Sequence, residues 1–267
     1  MGRGAAVTAH ATPMTAGAVR KALRAHANRE RARGVARYFK TGPGEYGDGD
    51  VFIGVTVPAQ RAVARACRDL PLSDADALLA SRVHEERLTA LLILVDRFSR
   101  ADTARRRQIF RLYTRRLRFV NNWDLVDTSA PGIVGGWLAD PASGSAPPHP
   151  LLTRLARSGH LWSRRIAMLA TSFDIARGNP REAIRIATIL VDDPHDLIQK
   201  AVGWMLREVG KRASADALDR FLARHAATMP RTTLRYAIER MPARDRQRWM
   251  ERRRAITRGL AGGDARG

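Results

Sequence analysis

Apolar residues recur at intervals of three and four along almost the whole chain, as in Leu88, Leu91, Leu92 and Val95 or Ile184, Ala187, Ile189 and Leu190, and long alternating runs are missing. Intervals of three and four gather side chains on one face of an α-helix, whereas a half-buried strand requires strict alternation. The fold class expected is therefore all-α. Two stretches interrupt the pattern, 41–50 (Gly-rich) and 140–150 (rich in Pro, Gly and Ser), and both read as loops because Pro and Gly oppose helix.

Several helical segments begin alike, with a basic residue opening an apolar face: Arg87-Leu88-Thr89-Ala90-Leu91, Arg165-Ile166-Ala167-Met168-Leu169, Lys200-Ala201-Val202-Gly203-Trp204 and Arg235-Tyr236-Ala237-Ile238. The basic residues lie 78, 35 and 35 positions apart, and the helix around Trp123 divides the widest gap. A period of this length fits two antiparallel helices with their turns, which points to an α-solenoid of HEAT-like repeats with a concave basic groove. A plain helical bundle would keep the same fold class. The expected organisation is a disordered tail over 1–16, one repeat domain over 17–252 and a flexible C-terminal tail over 253–267.

With 267 residues and 45% hydrophobic composition the chain can bury a sizeable core. Its formal net charge of +21 is spread from Arg20 to Arg254, so a polyanion is the expected partner, nucleic acid before an anionic membrane surface. Nearly all of this charge is Arg, and a GC-rich coding sequence producing a solvated basic surface is the plainer alternative. Cys67 is the single cysteine, which leaves no intrachain disulfide and no thiolate metal site. His84-Glu85-Glu86 lacks the second His that a zincin helix places four residues after the first, so no metal and no other cofactor is expected. The longest apolar run, Leu88 to Val95, is too short to cross a membrane. Together these features suggest a cytoplasmic, nucleoid-associated monomer.

The loop 41–50 lacks the Gly-Lys-Ser/Thr ending of a phosphate loop and the spacing of a calcium loop. It reads as a connector, with a backbone-phosphate contact near Tyr38 and Lys40 as the alternative. On a helix, Trp123 and Asp127 stand one above the other at i and i+4, presenting an indole face and a carboxylate on one side. A core Trp and a solvated Asp would show the same spacing, and Arg165, three residues after Trp162, is equally compatible with a surface ion pair. Lys200, Trp204, Arg207 and Lys211 share one helical stripe, in which three cations flanking an indole suit a phosphate backbone. A buried Trp beside a charged face is the competing explanation.

The succession Tyr38-Phe39-Lys40, Asn122-Trp123-Asp124-Leu125-Val126-Asp127, Leu161-Trp162-Ser163-Arg164-Arg165 and Ile198-Gln199-Lys200-Ala201-Val202-Gly203-Trp204-Met205-Leu206-Arg207-Glu208 resembles the AlkD-like DNA alkylation repair family of HEAT-like-repeat DNA glycosylases, over roughly Ala32 to Trp249. The resemblance implies that Asp127 is the catalytic carboxylate, that Trp123 and Trp204 face the lesion nucleotide, that Arg165 supports the DNA backbone, and that Tyr38 belongs to the same cleft. It further implies release of cationic N-alkylated purines, 3-methyladenine and 7-methylguanine, from duplex DNA without insertion of the base into a pocket. Two other classes remain open on sequence grounds: a non-catalytic solenoid that binds structured or damaged nucleic acid, and a protein-interaction scaffold.

Overall fold

The computed structural model describes residues 14–252, and every regular element among them is helical. The tails expected at 1–16 and 253–267 lie outside the described residues except for 14–16, where Thr15 caps the first helix and Ala16 opens it. Extended pairing among the described residues is limited to one isolated bridge, Val51 with Val83. None of the described helices is long and apolar enough to cross a membrane. The chain divides into two compact units at Ile93/Leu94.

The first unit holds α1 (Ala16–Arg24), α2 (Arg29–Tyr38), α3 (Val57–Ala66), α4 (Leu72–Leu79) and the start of α5 (His84–Arg100). Thr15, Asn28 and Thr56 begin α1, α2 and α3 by accepting a hydrogen bond from a first-turn amide, each satisfying one of the donors that a helix start leaves open. Arg20 on α1 pairs with the buried Glu86 at 3.0 Å, while Leu70, Leu78, Leu79 and Leu91 fill the interior. The carboxylate of Glu85 accepts hydrogen bonds from the amides of Ile53, Gly54 and Val55. Gly54 has φ +77° and lies so close to the Asn28 carbonyl that no side chain would fit.

The Gly-rich loop is held by hydrogen bonds of its own. Glu45 accepts from the Gly42 amide, Asp48 from the Gly44 amide, and Gly47 donates to the Lys40 carbonyl. Its last residue, Asp50, is buried between His84 (2.9 Å to Nδ1) and Arg87 (2.6 Å to Nη2), and Phe39 and Phe52 pack on the His84 ring. Arg87 also donates to the carbonyls of Ser81 and Arg82. All three residues of His84-Glu85-Glu86 thus hold the unit together, each with a different partner.

The second unit continues with α6 (Thr103–Arg115), α7 (Trp123–Ala130), a π-turn over Pro131–Gly135, α8 (Gly136–Leu138), α9 (Pro150–Ala156), α10 (Leu161–Ala170), α11 (Ser172–Ile175), α12 (Arg181–Leu190), α13 (Asp196–Arg212), α14 (Ala215–His225) and α15 (Arg231–Ala237). Residues 243–252 are again helical. The Pro-rich stretch 140–150 contains one 3₁₀ turn, Pro141–Ser143, and its last residue starts α9. Helix α10 packs on α7, α9 and α13, and nearly all of it is buried; α15 packs on α13.

Glycines set two of these close approaches. A Cβ at Gly135 would stand 2.3 Å from the Ala170 carbonyl oxygen and 2.7 Å from the Phe173 Cβ, so the chain after α7 touches the end of α10 with no room for a methyl group. Because the first obstacle is backbone, Gly135→Ala is expected to lower stability by about 1–3 kcal/mol, read as a lower urea midpoint with unchanged slope. Gly203 plays the same part for α13 and α15, its missing Cβ lying 2.5 Å from the Thr233 carbonyl oxygen and from the Tyr236 Cβ.

The basic residues singled out by the sequence repeat fall near the start of their helices: Arg87 is the fourth residue of α5, and Arg165, Lys200 and Arg235 are the fifth residues of α10, α13 and α15. Their environments differ. Arg87 and Arg165 are buried against carboxylates, Lys200 is partly exposed and Arg235 is exposed.

Candidate active site

Helix α7 begins where Asn122, itself fully buried, accepts a hydrogen bond from the Trp123 amide at 2.8 Å. Trp123 is therefore the first helical residue and Asp127 lies one turn further on the same side, both partly exposed. The helix is fixed from beneath by Tyr113 of α6, whose hydroxyl lies 3.0 Å from the Ser129 hydroxyl; Ser129 in turn donates to the Leu125 carbonyl at 2.6 Å. Complete burial pushes the Tyr113 phenol well above its ordinary pKa, so it stays a neutral donor.

Arg165 does not sit at the surface. Its Nε and Nη2 donate to the two oxygens of Asp127, each at 2.8 Å, and its Nη1 donates to the Leu197 carbonyl on the first turn of α13 at 2.5 Å. One planar guanidinium thereby ties together α7, α10 and α13, a geometry that Lys cannot reproduce. The Arg165 side chain is 6% exposed and that of Asp127 18%, so the aspartate is the more accessible member of the pair. Each of the three nitrogens of Arg165 thus donates to a protein acceptor.

Burial pushes the Asp127 carboxyl above its ordinary pKa; the hydrogen bonds and charge of Arg165 act in the opposite direction, and the neighbouring Asp124 carboxylate adds a smaller upward push. The site thus contains a carboxylate held in fixed orientation, incompletely solvated, with an indole on its own helix. A carboxylate in this setting can oppose a developing positive charge and orient water.

The remaining candidates are distributed over other surfaces. On α13, Trp204 lines a cavity of about 230 Å³ with Ser172, Ile175, Ala176, Glu208 and Arg212. It stands seven residues beyond Leu197, roughly 10 Å along the helix axis, and no described contact joins it to Asp127. The single stripe drawn from sequence is divided: Lys200 and Arg207 face α15, while Trp204 faces α11. Lys200 pairs with Asp196 at 2.8 Å, and Arg207 with Glu208 and Glu239. Lys211 is exposed and lines a separate cavity with Arg240 and Arg248. Tyr38, 68% exposed, and Lys40 belong to the first unit, where the Lys40 ammonium lies 5.9 Å from the Tyr46 ring centre.

The family model described as "DNA alkylation repair enzyme" matches residues 19–241. The chain belongs to that family. A role in DNA alkylation repair with DNA as the partner follows from this membership. Among solved structures, a protein described as a predicted DNA alkylation repair enzyme from Enterococcus faecalis is 17% identical, with TM-score 0.63 over 82% of this chain and 98% of the other. At that identity the likeness concerns the fold. The protein smu.31 from Streptococcus mutans UA159 is 18% identical, with TM-score 0.48 over 86% of this chain and 98% of the other. Comparison with curated proteins gives no match.

In this member of the DNA alkylation repair family, the matched span contains Trp123, Asp127, Arg165 and Trp204. Sequence reasoning missed Tyr113, Ser129 and the Leu197 carbonyl, which orient the pair without being part of any motif. It also missed the buried Asp50–Arg87 pair, whose only signal was that Arg87, like Arg165, opens an apolar helical face.

Proposed function

We propose that the protein is a monofunctional DNA glycosylase that hydrolyses the N-glycosidic bond of cationic N-alkylpurines, 3-methyladenine and 7-methylguanine, in duplex DNA without flipping the base. The observation that carries this reading is the Asp127 carboxylate, oriented by Arg165 at two points yet still open to solvent beside Trp123.

The chemistry suits these parts. A purine alkylated at a ring nitrogen already bears positive charge, so the C1′–N bond can break with its electron pair passing to the base, which leaves neutral and needs no general acid. The sugar becomes oxocarbenium-like, and a water oxygen adds to C1′ and releases its proton to Asp127 or solvent. Asp127 opposes the transient charge and orients the water, while the Trp123 face adds quadrupole attraction. Arg165 serves as a positioning residue. Trp204, Tyr38, Lys40, Lys200, Arg207 and Lys211 are assigned to DNA binding, with neutral lesions such as uracil expected to be poor substrates.

The test is release of free 3-methyladenine and 7-methylguanine from methylated duplex DNA. The rate should fall as pH drops through the pKa of Asp127, and because burial raises that pKa the acid limb should lie above the ordinary carboxylate value of 3.8. For the fold the sign is opposite: stability present with Asp127 protonated is lost as pH rises through the raised pKa. The closeness of Arg165 to Asp127 favours one alternative, a helical-repeat protein that binds damaged DNA without chemistry. Salt-sensitive duplex binding with every modified base left in place would establish it.

A further inference from the structure

We propose that the cleft between α13 and α15 is a phosphodiester-binding subsite for DNA, with Arg235 gripping the phosphate, Tyr236 packing on the adjoining sugar and Glu239 opposing entry. The inference rests on the nucleic-acid reading above, although it does not depend on the glycosylase chemistry.

The cleft has a volume of about 580 Å³ and brings Lys200 and Arg207 of α13 to Arg235, Tyr236 and Glu239. Three cations face one carboxylate, and they are not equivalent. Lys200 is paired with Asp196 and Arg207 with Glu208 and Glu239, whereas Arg235 makes no ion pair or hydrogen bond through its side chain among the described residues. Arg235 holds the register position that Arg165 holds in α10, but here no carboxylate answers it. Tyr236, the next residue, is 38% exposed, and the close packing at Gly203 sets its Cβ against α13. An unpaired guanidinium beside an exposed phenol ring matches a nucleotide, which offers a phosphate oxygen and an adjoining sugar face.

The continuity of charge identifies a polymer rather than a single small anion. Arg207 also lines a neighbouring cavity of about 510 Å³ in which Lys211, Arg240 and Arg248 outnumber the carboxylates Asp219 and Asp245. From Lys200 to Lys211 the helix advances 11 residues, roughly 16 Å, the rise of about five nucleotides of one strand at 3.4 Å each. Cations repeated over that length suit a repeating phosphate backbone.

The experiment measures affinity of a short undamaged duplex by fluorescence anisotropy across a salt series. Arg235→Gln is expected to weaken binding roughly three- to tenfold and to reduce the slope of log K against log salt by about one. Tyr236→Leu should weaken binding with the slope unchanged. Glu239→Gln should tighten it roughly two- to fivefold, because removing the carboxylate lifts repulsion and frees Arg207; a merely structural role for Glu239 would not increase affinity. Arg181→Gln, which removes an exposed charge on α12 outside both cavities, is the control. Equal effects of Arg235→Gln and Arg181→Gln, weaker binding in Glu239→Gln, or no duplex binding by the wild type would each overturn the subsite. Base release by the wild type with no change in duplex affinity in any of the three cleft variants removes the subsite and leaves the glycosylase reading standing. Duplex binding that follows the stated pattern without base release does the reverse.

Discussion

Asp127→Asn is expected to lower base release from methylated duplex DNA by roughly two to three orders of magnitude, the effect typical of losing one preorganised electrostatic contact to a transition state. The substitution keeps size and shape and removes the charge on which the proposed chemistry depends. It also reverses one hydrogen bond: an amide NH₂ would face an Arg165 donor where a carboxylate oxygen now accepts at 2.8 Å. That mismatch costs about 1–3 kcal/mol of stability, small enough for a folded variant to be assayed, and a melting curve separates this loss from the catalytic one. Equal base release by wild type and variant would remove Asp127 from the mechanism.

Arg165→Lys extends the same test to the positioning residue. Lysine keeps one positive charge and loses the fork that meets both carboxylate oxygens. Since the hydrogen bonds of Arg165 act to lower the Asp127 pKa, their loss should move the acid limb of the rate profile to higher pH as well as reduce its height. A residue with only a structural role would reduce the height and leave the limb in place.

How much of this site could be read in the sequence depends on how far apart its parts lie along the chain. Trp123 and Asp127 are one helical turn apart, so periodicity alone puts them on one side of α7. The fate of Arg165 is different. Arg164 and Arg165 are adjacent members of a chain containing 47 lysines and arginines, and nothing local distinguishes them. Arg164 turns to Asp193, and Arg165 turns to Asp127, because of how α10 packs on α7 and α13. Trp204 gives the complementary case. Helical arithmetic places it close in angle to Lys200 and Arg207, but α15 packs against Gly203 and the two sides of the stripe face different neighbours. The π-turn after α7 begins at Pro131, which has no amide to donate, and ends at Gly135, which approaches Ala170.

The largest loss of stability is expected from Arg87→Met, about 3–5 kcal/mol, because it leaves the Asp50 carboxylate buried without its arginine. Asp50 and Arg87 are each 3% exposed at the side chain, against 18% and 6% for Asp127 and Arg165. The two pairs use the same chemistry, but Arg165→Met should cost less than Arg87→Met, since the carboxylate it abandons can still be hydrated. Adding Asp50→Asn to Arg87→Met should recover part of the loss: the amide oxygen still accepts from His84 and no buried charge remains. Urea unfolding followed by far-UV circular dichroism measures all three variants, and tryptophan fluorescence isolates the second unit, where all five tryptophans lie. If Arg165→Met proved the more destabilising, the Asp127 pair would be a buried structural clamp like that of Asp50. The opposite order supports its use as a carboxylate left open, at some cost to the fold, for a substrate to meet.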